Sequence, residues 1–271
     1  SIAFAQMIWD KKFGARHDAL LGLATRFTWF DDNTPVTAAP ETAQNRPSRT
    51  WLPGLFAQDD IRFSDRHRLL LGLRYDWNST HGHVLSPRAN WKYNPNEFNT
   101  FRLSVGNGYR VANVFSEEHA ALTGSRRVVL AADLRPERSW NANLNYTTKF
   151  FPAFGFVGLD ATVFYTHFSN RILADYNTDP DLVVFDNLDG YAVSRGLTLN
   201  TDWNFIHGLK ILAGFTLMDV FAEENGARAA QIHAPPFSGT WSASYTIPKW
   251  KLTVDYTGSV TGPMPLPVVP N

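Results

Sequence analysis

The side chains in this 271-residue chain that could do chemistry are mostly histidines and arginines. His81 and His83 form a His-x-His pair in a short connection, where extended backbone turns both the same way. His119 stands beside Glu117 and Glu118 in a long connection. Imidazoles with carboxylates suit a borderline divalent metal ion, so these histidines are metal candidates; the competing reading is polar loop residues with no ligand. Arg126 and Arg127 share the long connection with His119, and Arg102 and Arg110 lie just before it. Clustered guanidinium groups grip an anionic chelate or a phosphate-bearing ligand. The equally open alternative pairs them with Glu117, Glu118, Asp133 and Glu137, or with anionic groups outside the chain. Glu137 reads as a structural partner. Phe115, Tyr176 and Phe185 could stack on a flat ligand or simply pack the loops. His17, His67 and His207 fall in tight turns and read as solvated turn residues.

No catalytic arrangement accompanies these residues. Gly-x-Ser-x-Gly, His-Glu-x-x-His and a phosphate-binding glycine loop are all missing, so no enzyme and no cofactor are expected. Gly106-Asn107-Gly108 falls inside a strand pattern, where small residues make room or allow a bend. Net charge is zero, which removes any general attraction to nucleic acid. Cysteine is absent, and no apolar run reaches the ~18 residues of a membrane-crossing helix. The chain starts at Ser1 rather than Met, so it is expected to begin after processing or within a longer protein.

The elements that must position these residues are strands. In Leu69–Asn78 every second residue is large and apolar (Leu69, Leu71, Leu73, Tyr75, Trp77), while Arg74, Asp76 and Asn78 share the other face. Asp18–Phe30, Thr100–Arg110, Trp140–Lys149, Val157–Thr166, Gly196–Asn204, Leu209–Leu217, Thr240–Ile247 and Lys251–Thr257 repeat the scheme, for about twelve strands in all. Tight turns are expected at Phe13–His17, Ser64–His67, Asn94–Phe98, Pro152–Gly155, His207–Gly208 and Pro248–Lys249. Long links are expected at Asp31–Thr50, Val111–Arg138, Asn170–Asp189 and Ala222–Pro236, with Thr80–Val84 a short exception.

A soluble sandwich or jelly roll also alternates. Three features favour a membrane barrel. Many of the strands are longer than the ~5–6 residues usual in soluble sheets and match the ~9–11 of tilted membrane strands. Aromatics gather near strand ends: Trp29, Trp77 and Tyr109 toward the loops, and Phe151, Trp203, Phe205, Tyr245 and Trp250 toward the turns. The polar face is rich in Gly, Ser, Thr and Asn rather than Lys and Glu, which suits a lumen. A barrel in lipid must close, and the chain finishes in the proline-rich Gly262–Asn271. Ser1–Asn271 is therefore expected to be part of a larger barrel, without an N-terminal portion and the last strands.

Short segments then resemble the TonB-dependent outer-membrane receptors, in particular the form common in Bacteroidetes. They are Leu52–Asp60 (LPGLFAQDD), Leu71–Asp76 (LGLRYD), Ser86–Arg88 (SPR), Arg102–Val114 (RLSVGNGYRVANV), Leu134–Trp140 (LRPERSW), Asn187–Gly196 (NLDGYAVSRG) and Ala234–Phe237 (APPF). Each alone is weak, but together they stand in family order. The resemblance implies an all-β, antiparallel transmembrane barrel in the bacterial outer membrane. About 22 strands would surround a plugged lumen, and about twelve of them, but not the plug, would lie in this chain. It implies capture of a scarce bulky nutrient (siderophore, cobalamin or metal complex) in the outer loops, and import with TonB-derived energy. Arg102, Arg110, Phe115, His119, Arg126, Arg127 and Tyr176 are the ligand candidates. The implied partners are membrane lipid and lipopolysaccharide, the plug, the TonB complex and possible surface lipoproteins. The alternative function is a barrel that docks other proteins in a larger complex.

Overall fold

The computed structural model describes residues 1–31, 47–110, 127–130, 134–175 and 182–266. Twelve long strands carry the architecture: β1 (Ile2–Phe13), β2 (His17–Phe30), β3 (Ser48–Arg62), β4 (His67–Asn78), β5 (Gly82–Tyr93), β6 (Asn99–Arg110), β8 (Glu137–Phe150), β9 (Gly155–Asn170), β12 (Gly190–Phe205), β13 (Leu209–Glu224), β15 (Phe237–Ile247) and β16 (Leu252–Thr261). Four short ones stand in the long links: β7 (Arg127–Leu130), β10 (Ile172–Asp175), β11 (Leu182–Asn187) and β14 (Ala227–Ala230). The long strands follow one another in chain order, with β14 added on β13, in a 13-stranded sheet. Strands of ten to sixteen residues are long enough to cross a bilayer at a tilt. The chain divides into two compact units, Ser1–Ala89 and Asn90–Asn271.

Register explains why alternation matters. In the second unit one cross-strand row reads Leu103, Leu144, Val163, Leu197, Leu217, Phe237. The neighbouring row on the opposite face reads Arg102, Asn145, Thr162, Thr198, Thr216, Ser238. One residue of slip would exchange the two rows, so the pattern pins the pairing. The apolar row is open to its surroundings: Leu144 is 47% and Val163 54% exposed. In the first unit Trp9, Leu21 and Leu73, then Met7, Leu23, Leu55 and Tyr75, form the same kind of exposed apolar surface. Among the described residues no second layer covers them. Apolar surface of this extent needs an apolar solvent.

The short turns fall where expected, with Pro248–Trp250 a single 3-10 turn. Three of the expected long links are partly ordered instead. Asn170–Asp189 contains β10 and β11, Val111–Arg138 contains β7, and these three pair in their own small sheet. Ala222–Pro236 contains the β13–β14 hairpin, turned at Asn225 (φ 51°) and Gly226 (φ 76°). Two consecutive positive φ values match the twist of flanking strands, which is why Asn-Gly closes two-residue hairpins. Strands also run further toward the loops than apolar alternation suggests. Beyond Leu197 and Leu217 the β12–β13 ladder continues through Arg195↔Asp219 to Gly190↔Glu224, with Ala192, Val193, Phe221 and Ala222 buried along it and Arg195 paired to Asp219.

Candidate functional site

Phe115, His119, Arg126 and Tyr176 lie outside the described residues, as does the side chain of Arg127, whose backbone is in β7. The remaining candidates are placed by their strands.

Arg102 and Arg110 both project from the polar face of β6, but they are eight residues apart. At about 3.3 Å per residue this is roughly 26 Å, too far for one anion site. Arg102 sits near the turn end, where Nη1 donates to Asn145 Oδ1 (3.1 Å) and Thr147 Oγ1 (3.3 Å). Asn145 and Thr147 in turn donate to Asp160 at 3.0 and 3.1 Å. Arg110 closes the loop end of β6. Its Nε donates to Glu137 Oε2 at 2.6 Å, and Glu137 is only 5% exposed. Arg110 pairs with Glu137, one of the carboxylates weighed for it.

The two histidines have different partners. His83 Nδ1 bonds the Tyr75 hydroxyl at 2.6 Å and its ring stacks on Tyr75. His81 stays in the turn before Gly82 (φ 75°), its backbone N–H donating to Asn78 Oδ1 at 3.1 Å. Burial holds the His81 imidazole below its ordinary value. Among the described residues no three His, Asp or Glu side chains converge as metal ligands. His17 is not merely a solvated turn residue, since its Nδ1 pairs with Asp59 at 2.7 Å.

The short segments singled out by resemblance fold against one another. Arg74 grips Asp76 with two hydrogen bonds of 2.7 and 2.6 Å. Its guanidinium lies 5.6 Å from the Phe56 ring centre. Asp76 lies over Gly54 and Phe56 over Gly22, both too close to admit a Cβ. Arg88 crosses Gly72 to reach Gln58. LPGLFAQDD, LGLRYD and SPR thus build one polar-face cluster of large side chains laid flat over glycines. In the second unit, Arg135 N donates to Asn187 Oδ1 (2.7 Å) and Asn187 Nδ2 returns a bond to Arg135 O (2.8 Å). Asn170 Nδ2 donates to Pro136 O at 2.7 Å. This ties LRPERSW to NLDGYAVSRG at the loop end of the sheet.

Two further groups at that end escaped sequence reasoning. Arg195 and Arg228 both bind Asp219 (2.9 and 2.6 Å), with Arg228 3.7 Å from the Phe221 ring centre. Arg171, between β9 and β10, lies 5.1 Å from the Phe168 ring centre and close to Glu137 and Arg110. Burial lowers the basicity of Arg171 and Arg110 lowers it further, while Glu137 opposes both. The Asn-Gly pair at 225–226 was a readable signal for the hairpin carrying Arg228. Arg171 carried no such signal.

A meander of long strands with one exposed apolar face and one hydrogen-bonded polar face is the pattern of an outer-membrane β-barrel wall. The chain belongs to the TonB-dependent receptor family: residues 4–264 match the family model described as TonB dependent receptor-like, beta-barrel. A curated relative, the probable TonB-dependent siderophore receptor PirA of Acinetobacter baumannii, is 24% identical over 165 residues, covering 56% of this chain and 21% of that protein. The crystal structure of the siderophore receptor PirA from Pseudomonas aeruginosa superposes with a TM-score of 0.70 at 18% identity, covering 96% of this chain and 46% of that one. The FrpB iron transporter from Neisseria meningitidis gives 0.68 at 14% identity, covering 95% and 42%. The chain therefore spans about a fifth of the curated relative and under half of these solved receptors.

Proposed function

We propose that this barrel wall belongs to an outer-membrane receptor that binds an iron–siderophore complex at its loop end and imports it with TonB-derived energy. The observation that carries this reading is the family match over residues 4–264, together with the siderophore receptors among its relatives. The arginines at the loop end support it, because guanidinium groups suit anionic chelates. Ser1–Asn271 is then a partial barrel domain. Its plug, its remaining strands and the TonB contact belong to the whole receptor, with lipid, lipopolysaccharide and any surface lipoprotein as further partners. The segment pattern supports the Bacteroidetes form, and cobalamin or another metal complex is the alternative cargo class. The loop candidates Phe115, His119, Arg126, Arg127 and Tyr176 remain part of this proposal.

The test is uptake of radiolabelled iron by iron-starved cells carrying the full-length gene, its deletion, or the full-length gene in a host without TonB. Siderophore-dependent uptake is expected only in the first. Equal uptake in all three would overturn the proposal.

A further inference from the structure

We infer that Asn170 and Asn187 are positioning residues for cargo capture: together they clasp two loop-end links, residues 111–136 and 171–189, into one body. The inference rests on the receptor reading above and adds how two of its loops are held.

The two links leave the sheet at different places. The first joins β6 to β8 and the second joins β9 to β12. Four residues of each nevertheless pair in parallel, from Arg127↔Leu182 to Leu130↔Phe185. β10 adds to β11 within the second link, from Ile172↔Asn187 to Asp175↔Val184. Ladders this short are at best marginally stable alone, so their strands must be held within reach of each other.

The holding point is the start of β8. Pro136 has no N–H, so a regular ladder stops there and the backbone polar groups of Arg135 and Pro136 need other partners. Asn187 supplies them as if it were a second peptide group: Oδ1 accepts from Arg135 N (2.7 Å) and Nδ2 donates to Arg135 O (2.8 Å). Asn170 Nδ2 donates to Pro136 O (2.7 Å) and Arg135 O (3.2 Å). A bulge brings Asn170 there: Ser139 pairs with Phe168 but Arg138 pairs with Asn170, so Ser169 is an extra residue without a partner position. The two asparagines bracket the second link, one at each end, and both grip the exit of the first. A bond from Leu188 N to Arg171 O (2.8 Å) closes the neck of the second link. Holding these ends at one junction lowers the entropy lost when the strands above it pair. Junction and ladder therefore support each other, and opening one releases the other. Cargo contacts carried by either link are set relative to both.

The experiment uses the full-length receptor and Asn187→Asp, a change of equal size whose carboxylate cannot donate to Arg135 O. Amide exchange in Arg127–Leu130, on the other link, should accelerate about tenfold or more together with Leu182–Asn187, as for loss of one or two hydrogen bonds. β8 and β12 should stay protected. The uptake probe is the siderophore from the cells' own spent medium, loaded with radiolabelled iron. Its half-saturating concentration should rise with the unclasped fraction while the maximal rate holds. Val129→Cys with Val184→Cys, at Cα partners of the ladder in a chain that has no other cysteine, replaces the clasp by a covalent bond. Added to Asn187→Asp and oxidised, the pair should restore slow exchange and wild-type half-saturation, and reduction should undo both. Unchanged exchange in Arg127–Leu130 would overturn the inference, as would equal acceleration across β8 and β12. Unchanged uptake despite faster exchange, or no recovery on oxidation, would overturn it too. A wild type that imports no iron would instead bring down the receptor reading and with it the role in capture, and exchange alone then decides the clasp.

Discussion

At the scale of single residues, what a side chain does here depends on the face it occupies. Leu144 sits mid-strand on the exposed apolar row, and Thr162 on the adjacent polar row. Leu144→Arg should cost about 2–4 kcal/mol where the row meets the bilayer midplane. Thr162→Arg should be nearly neutral, because that face meets polar groups. Chemical unfolding of the full-length barrel in lipid vesicles reads both. Glu137 illustrates pairing: removing its carboxylate leaves Arg110 and Arg171 facing each other as like charges. Glu137→Ala should lower stability by about 1.5–3 kcal/mol, and Glu137→Gln by less, since the amide oxygen still accepts from Ile172 N. His81 adds a pH dependence. Burial lowers its folded-state value, so below the ordinary value of 6.5 the unfolded chain binds more protons than the folded one. Stability should therefore fall as pH drops through that region. His81→Asn should flatten the midpoint difference between thermal scans at neutral and mildly acidic pH.

Secondary-structure elements carry the features that alternation alone does not announce. Nine of the twelve long strands were legible segment by segment because they alternate across a two-sided environment, and six tight turns were legible from Gly, Pro and polar clusters. The four short strands were not, because a strand of four to six residues pairing within a loop presents no long apolar face. The β13–β14 hairpin is the exception that could have been read, from Asn225-Gly226. Gly226→Val should destabilise it by about 1–2 kcal/mol, since a side chain opposes the left-handed backbone. Amide exchange in Ala227–Ala230 should accelerate while β12 and β15 stay protected; uniform exchange across the sheet would contradict a local role for the turn.

For the whole molecule, the solvent is part of the fold. Leu103, Leu144, Val163, Leu197 and Leu217 are exposed side by side, so removing detergent from the purified receptor should cause aggregation. Light scattering during detergent removal checks this, and a monodisperse sample in plain buffer would contradict it. The residues named in advance as candidates divide by the same logic. The ion pair of Arg110 was anticipated through Glu137, since both stand at strand ends. The grouping of Arg102 with Arg110 failed because nearness in sequence along a strand is not nearness in space. His81 and His83 take different partners, because Tyr75 on the neighbouring strand bonds His83 while His81 stays in the turn. The sequence by itself determined the alternation and the order of segments, hence a barrel wall of this family, because those depend on local backbone geometry and on which solvent each face meets. Only the tertiary structure decided which distant polar groups pair, and that a single unpaired residue at Ser169 brings Asn170 opposite Arg138. Such a bulge is a property of two strands in register, and one strand read alone does not contain it.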